Sequence, residues 1–471
     1  MNLMQMMMSP IITLIMMTLM PKDKKRMMEN MSTLSSILIL MQTMYLHMDN
    51  NHQIKAITLL FSSNTETNNM TMTTHQLCMD TLSTSLMMLT SMLMLTSMLM
   101  SKKTMYHTHK KLFMCLFTIT MTLFLTLTTS SLMMFYIMFE SSMMPLMMMM
   151  GLWGSRKEKT RATYYFLLYT MMGSLPLFIT ILIMNNKLGT FNTTTLQNME
   201  IHTHTQQQLF MGLFLAFAMK TPLIPWHSWL PLAHVEAPAM GSVLLAGMLL
   251  KLGTYGFIRF TTPMLTNLSK YTSPMMMIMS MLSMWLASIN SLRQNDMKRM
   301  MAYSSMAHMG MITAACFSMN PMSKKGAMML MLSHGLTSSA LFALVSFLYE
   351  RHKSRLMKNF QGMSYTTPML STLIMMTTLA HMSTPGSMNF MGEYLCLLGL
   401  WELHPSMTMT STMGMMMSTA YLLLLYIQIT SSKPTTYTKY KMYDLSLNET
   451  QAILTLTMPN MTLGLMPYPM M

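Results

Sequence analysis

The sequence has few charges for its length. Of its 471 residues only 10% are Asp, Glu, Lys or Arg, where a soluble domain carries about 25%. Apolar residues make up 52%, in long runs that follow one another along the chain. A soluble globular protein is thereby excluded, and the chain reads as an integral membrane protein. Cysteine is also scarce. Cys78, Cys115, Cys316 and Cys396 each lie in or at the edge of an apolar segment, with no CxxC spacing. Disulfide frameworks, iron–sulfur clusters and zinc sites need closer or paired cysteines, so none is indicated. No GxGxxG follows a strand and no Walker loop occurs, so the expectation is no bound nucleotide, no metal and no redox centre.

Methionine is abundant instead, with 81 residues. Its flexible side chain fills the volume of other aliphatics. The excess reads as replacement of Leu and Ile, a bias expected where the genetic code reads an isoleucine codon as methionine.

A helix needs about 20 apolar residues to cross a bilayer. On that rule the sequence predicts an all-α polytopic membrane protein with fourteen spans. They run near 3–20, 31–48, 77–100, 112–129, 132–151, 163–184, 208–230, 239–260, 274–290, 299–319, 325–349, 368–401, 407–430 and 446–466. The Met-rich start has neither a basic n-region nor a small-residue cleavage site, and reads as the first span rather than a signal peptide. Of the 30 Lys and Arg, only Lys220 and Lys251 fall well inside spans; alternating loops and span ends place 22 of the others on one side and 6 on the opposite side. The rich loops are Lys22–Arg26, Lys102–Lys111, Arg156–Arg161, Arg293–Arg299, Arg351–Lys358 and Lys433–Lys441. The poor side holds Lys55, Lys187, Arg259, Lys270, Lys324 and Lys325. The positive-inside rule puts the rich loops in the cytoplasm or matrix. The net charge of +15 is therefore topological, with no nucleic-acid surface implied. The longest connection, Asp49 to Gln76, shows no usable pattern, and its sequon at Asn69 is matched as well by chance.

Ionisable residues inside spans are rare and usually functional. Four stand out: Glu140 in FYIMFESSMMP, Lys220, Lys251 in VLLAGMLLKLGTYGF and Glu393 in TPGSMNFMGEYLCLLG. Two acids and two bases can pair across the bundle, either to fix helix register or to carry protons. His308 in AYSSMAHMG and His334 in LSHGLTSSALF join them, as core residues or as relay groups; histidine exchanges protons near neutral pH. A nearby carboxylate holds a buried lysine charged, and burial alone favours its neutral form. This suggests a switch in which Lys220 is protonated beside Glu140 and releases its proton when the pair separates.

The stretch LAFAMKTPLIPWHSWLPLAHVEAP breaks its own helix. Pro222 and Pro225 release carbonyls about four residues earlier, and such breaks are tolerated at membrane depth only inside protein or beside water. The released carbonyls are expected to help hydrate Lys220. Pro385-Gly386 repeats the device two turns before Glu393. Two interrupted spans, five apart, fit a transporter built of repeated halves. Spans four to eight and nine to thirteen form two five-helix repeats, inverted because five is odd. The expected division is 1–111 for an N-terminal three-helix segment, 112–260 and 261–432 for the repeats, and 433–471 for a linker and last helix. His227, His234 and Glu236 follow the first break near the basic face, as a point of proton uptake or as loop caps. Asp296 reads as a helix cap or partner of Lys298 or Arg299.

These residues stand in stretches that resemble the antiporter-like membrane-arm subunits of mitochondrial NADH:ubiquinone oxidoreductase, respiratory complex I, and subunit 4 in particular. The matching stretches are FYIMFE, YYFLLYTMMGSLPLF, AMKTPLIPWHSWLPLAHVEAP, LLKLGTYGFIRF, SLRQNDMKRMMAYSSMAHMG, LSHGLTSSALF and NFMGEY, with MDTLSTSLMMLTS a weaker match. Family members usually carry Lys where Leu232 stands, so that position receives no proton role. The resemblance implies two inverted five-helix repeats with broken seventh and twelfth helices. It implies proton transfer by Glu140, Lys220 and Lys251 at the membrane midplane, with exit near Glu393, where an acid resembles subunit 4 and its siblings use Lys. NAD, FMN, iron–sulfur clusters and ubiquinone would belong to other subunits. The implied partners are other membrane-arm subunits, sibling antiporter-like subunits included, and lipids of the mitochondrial inner membrane, with the basic loops in the matrix. Two competing readings are a stand-alone cation/proton antiporter, for which no dense acidic cluster is evident, and a passive scaffold.

Overall fold

In lipid a helix satisfies its own backbone polar groups, whereas an open strand does not. The apolar runs accordingly fold as helices in a computed structural model that describes residues 3–20, 25–49, 55–59, 75–101, 109–198, 203–264, 266–431 and 443–465. Helices α1 (Leu3–Leu19) and α2 (Lys25–Asp49) come first. A short antiparallel ribbon, β1 (Lys55–Leu59) with β2 (His75–Met79), leads to α3 (Thr81–Ser101). Helices α4 (His109–Thr128), α5 (Leu132–Ser141), α6 (Met143–Trp153) and α7 (Lys159–Leu188) follow, then the short α8 (Thr193–Asn198). A turn divides α9 (Thr203–Lys220) from α10 (Trp229–Glu236). The stretch Ala239–Met264 is helical throughout, but π-helical turns at Leu245–Leu249 and Phe257–Thr261 divide it into α11 (Ala239–Leu244), α12 (Leu250–Gly256) and α13 (Thr262–Met264). Next come α14 (Thr266–Leu292), α15 (Met297–Phe317), α16 (Pro321–His352) and the one-turn α17 (Met363–Thr366). A second break separates α18 (Pro368–His381) from α19 (Met388–Trp401), followed by α20 (Pro405–Thr430) and α21 (Leu447–Leu465).

Among the described residues, eight helical segments are long and apolar enough to cross a membrane. They divide by burial. The apolar windows of Ala239–Met264 and Pro321–His352 are 94% buried, that of Pro405–Thr430 only 33%. The first two are therefore interior helices, and they carry Lys251 and His334. The outer helices present Met, Leu and Ile outward, as Met172, Leu175 and Ile179 do on α7. Such a face suits lipid or neighbouring membrane helices.

Three expectations need correction. The connection from Asp49 to Gln76 contains part of the ribbon, because its ends pair across β1 and β2. The third helix starts at Thr81, not 77, because Leu77 and Cys78 belong to β2. The fifth span divides at Ser142, whose N–H still bonds the Met138 carbonyl at 3.1 Å, so it bends rather than opens. The Asn69 sequon and the Lys433–Lys441 linker lie outside the described residues.

Small residues bring helices into backbone contact, as membrane bundles require. A Cβ at Gly392 of α19 would sit 2.9 Å from the backbone N of Leu330 on α16. This closeness holds the neighbouring Glu393 in the interior. Gly464 of α21 rests on the second break: a Cβ there would lie 2.4 Å from the Gly386 carbonyl oxygen and 2.5 Å from the Met388 nitrogen. Backbone atoms cannot rotate away, so Gly464→Ala should destabilise the fold by about 1–3 kcal/mol. Thermal unfolding of the purified assembly would read this as a lowered midpoint. Gly151→Ala, whose Cβ meets nothing within 4 Å, should leave the midpoint in place.

Candidate functional site

Lys220 ends α9 at the first break and is buried. Its ammonium lies 3.7 Å from Glu140 Oε1 and 3.3 Å from the Phe139 carbonyl oxygen, both on α5. The released carbonyls do not serve it as expected. The Thr221 N–H takes the Phe217 carbonyl at 2.9 Å, the Leu223 N–H takes that of Ala218 at 3.0 Å, and the Trp229 indole N–H takes that of Met219 at 2.9 Å. The break thus takes up the Ala218 and Met219 carbonyls itself, and Lys220 draws on α5 instead.

Lys251 lies on α12, between the two π-helical turns. Such turns are frequent at functional sites. Its ammonium donates to the Ala246 carbonyl, in the preceding π turn, and lies 2.9 Å from His334 Nδ1 on α16. The helix that bears it packs on α9 beside Lys220: a Cβ at Gly253 would sit 3.0 Å from the Phe217 carbonyl oxygen. His334 belongs to a triangle of imidazoles with His308 on α15 and His381 at the end of α18. Ring centroids are 5.4 Å apart for His308–His334, 4.5 Å for His308–His381 and 5.6 Å for His334–His381. The Nε2 atoms of all three are buried and have no protein hydrogen-bond partner. His308 Nδ1 lies 3.5 Å from Glu393 Oε1 on α19. A small cavity lined by His308, Glu393, Met311, Gly414 and Ser418 adjoins this last pair.

The two acids and two bases therefore do not form two ion pairs. Glu140 faces Lys220, whereas Lys251 and Glu393 each face a histidine. His381 was missed in the sequence, although it is an ionisable residue in the span TTLAHMSTPG, immediately before the Pro385-Gly386 break. The Thr337 hydroxyl lies 3.1 Å from both the Ser333 carbonyl and His381 Nδ1, which fixes the orientation of the His381 ring. The second break also closes internally, with the Asn389 amide donating to the Ala380 carbonyl at 2.8 Å.

A second polar cluster lies at the end of the bundle where the basic loops near Ser155, Asn295 and Arg355 meet. Arg355 donates to Glu236 at 3.3 Å and to Ser155 at 3.0 Å, and Lys298 donates to the Ala237 carbonyl at 3.3 Å. Asn295 and Arg355 join their loops through backbone bonds at 3.1 Å to Met357 and Met297. Glu236 and His234 are both buried at the far end of α10, the His234 ring stacked on Phe342 at 4.4 Å. His227 lies apart from them, half-buried in the break itself. Asp296 precedes α15 without capping it and lies 3.7 Å from Arg299; Lys298 turns inward. Nothing in the sequence marks Arg355 and Lys298 as buried, because each sits in a charged loop like any solvated residue.

Residues 129–419 match the family described as NADH:quinone oxidoreductase/Mrp antiporter, transmembrane. The chain belongs to this family. It is 41% identical over 323 residues to NADH-ubiquinone oxidoreductase chain 4 of Metridium senile, covering 69% of this chain and 66% of that protein. The matched stretch spans less than two thirds of the first curated relatives' length. A chain of respiratory complex I from Thermus thermophilus shares the fold with a TM-score of 0.86 at 24% identity, covering 98% of this chain and 95% of that one. A chain of the Mrp complex from Dietzia sp. DQ12-45-1b does so at 0.84 and 13%, covering 98% and 94%.

Besides the charges within the helices, the described residues hold ion pairs of Arg355 with Glu236, both buried, and of part-buried Arg351 with buried Glu449. Removing one partner of a buried ion pair strands the other and typically costs about 3–5 kcal/mol. Arg355→Leu should therefore lower the yield of folded chain sharply, and Arg355→Leu with Glu236→Leu should recover much of it. Quantifying assembled protein in the single and double variants checks this.

Proposed function

We propose that the chain is a proton-translocating membrane subunit of an NADH:ubiquinone oxidoreductase. The observation that carries this reading is the succession of ionisable groups within the helices: half-buried Glu140 with buried Lys220, then the buried Lys251, His334, His308 with His381, and Glu393. Protons would be taken up from the matrix past His234 and Glu236, move along this row and leave near Glu393 to the intermembrane space. Coupling is electrostatic, because a change in the charge of one group alters the proton affinity of the next. Electron transfer, with NAD, FMN, iron–sulfur clusters and ubiquinone, takes place in other subunits. The partners are other membrane-arm subunits, including antiporter-like siblings, and lipids of the mitochondrial inner membrane.

The proposed architecture has fourteen spans, counting each interrupted pair and the Ala239–Met264 stretch once. Residues 112–260 and 261–432 are two inverted repeats, flanked by 1–111 and 433–471. The joining of the loops at 154–158, 293–299 and 351–358 at one end supports placing the basic loops together on the matrix side.

The fold shared with the Mrp complex favours a second reading, cation/proton exchange by this chain alone. Among the described residues no group of three or more His, Cys, Asp or Glu is arranged to hold a metal ion. Sodium–proton exchange by the purified chain in liposomes would establish this alternative.

The test of the leading reading is Glu140→Gln in the assembled complex, with assembly checked in parallel. Pumping and NADH–quinone turnover are expected to collapse together, by at least about tenfold if the lost pair is worth about 1.4 kcal/mol in the rate-limiting step. Wild-type values for both would make the pair structural and end the proposal at its first step.

A further inference from the structure

The Lys220 ammonium does not sit on its carboxylate. A closed charge-assisted contact between an ammonium and a carboxylate measures about 2.7–2.9 Å, whereas Lys220 Nζ is 3.7 Å from Glu140 Oε1. It lies instead 2.9 Å from the centroid of the Phe139 ring. Phe139 and Glu140 are consecutive on α5, and successive helical side chains diverge by about 100°. The ring and the carboxylate therefore offer the same cation two different seats.

The ring seat is held rigidly. Phe139 is fully buried. It stacks on Phe135 at 5.2 Å and meets the edge of Phe217 at 6.1 Å. Phe217 belongs to α9, three residues before Lys220, so ring and lysine are tied to the same packing. Phe135 in turn touches Tyr255 and Phe260 at 6.2 and 4.5 Å, in the helical stretch that carries Lys251. A π face attracts a cation most strongly where water is excluded, and the Phe139 carbonyl at 3.3 Å adds a directed acceptor.

We infer that Phe139 is a positioning residue of the Glu140–Lys220 switch: its ring face and carbonyl form the seat that holds the Lys220 ammonium when it leaves the carboxylate. This rests on the proton-translocating reading above. Lys220 is buried, while the Glu140 side chain is 24% exposed; drawing the cation off the carboxylate with no second seat still loses much of their attraction, because the protein interior around Lys220 screens weakly. With the ring in place the cation exchanges one favourable contact for another. The pair then opens without first losing its proton, and the ammonium is presented to the next group in a fixed position.

The test uses the assembled complex with Phe139→Leu, Phe139→Met and Phe139→Tyr, alongside Glu140→Gln. Leu and Met keep an apolar side chain and the backbone carbonyl but remove the π face; Tyr keeps it. Turnover and protons pumped per electron are measured and normalised to assembled complex. The Leu and Met variants are expected to turn over about tenfold more slowly, with the Tyr variant within about twofold of wild type. Met is the second ringless variant in case Leu does not assemble, since methionine adapts to irregular cavities. Wild-type turnover in the assembled ringless variants, while Glu140→Gln collapses, would overturn the role of Phe139 and leave the proton-translocating reading standing. An equal loss in Tyr, Leu and Met would also overturn it, because shape and not the ring would then matter. Wild-type behaviour in Glu140→Gln as well would remove the reading on which the inference rests.

Discussion

Inside a bilayer a polar group must find its partner within the protein, because no water comes to it from the lipid. The interior of this chain is organised around that constraint. Two helices break at proline, and each break frees carbonyls that something must take. At the first, the Leu223 amide takes the Ala218 carbonyl that Pro222 frees, and the Trp229 indole takes that of Met219. At the second, the Asn389 side chain does the same. The breaks therefore end helices at chosen depths without leaving their backbone bare. What they offer to function is position: Lys220 and His381 each stand at a helix end, Lys220 against α5 and His381 against His308 and His334.

The ionisable groups run from an outer helix, which carries Glu140, into the most buried ones. Lys251 and His334 lie on the two stretches most enclosed by protein, and the π turns around Lys251 bring its ammonium onto the Ala246 carbonyl. Glycines at helix contacts permit this arrangement, as Gly392 does beside Glu393 and Gly253 beside Phe217. Tight backbone approach and a row of titratable groups thus belong to one design. The charge row needs a dry, rigid surround, and small residues let the helices come close enough to supply it.

The basic end works differently. There Arg355, Glu236, Ser155 and Lys298 join three loops to the end of α10. Their bonds link segments far apart in the chain, so a movement of α10 would be felt in the loops before α7 and α15. The same cluster lies one short helix from the break at Lys220. An ion network at one end and a switch at the other are thus attached to opposite ends of α10.

Much of this was legible in the sequence wherever a residue broke the local rule. A charge in an apolar run, a proline inside a span or a dense basic loop is visible without any fold, and so Glu140, Lys220, Lys251, Glu393 and both breaks could be named. His381, in TTLAHMSTPG, breaks the same rule. Partner choice was not readable. Lys251 turned to His334, 83 residues away, and Arg355 to Glu236, 119 residues away, and no local pattern encodes which helix faces will meet. The ribbon in the polar connection was hidden too, since its strands are short and hold together only by pairing with each other. By itself the sequence determined that the chain must live in a membrane, where its helices break and which charges must be buried, because each follows from the cost of placing that residue in lipid. Only the tertiary structure decided which groups face one another, because burial forces every charge to find a partner but leaves the choice of partner to packing.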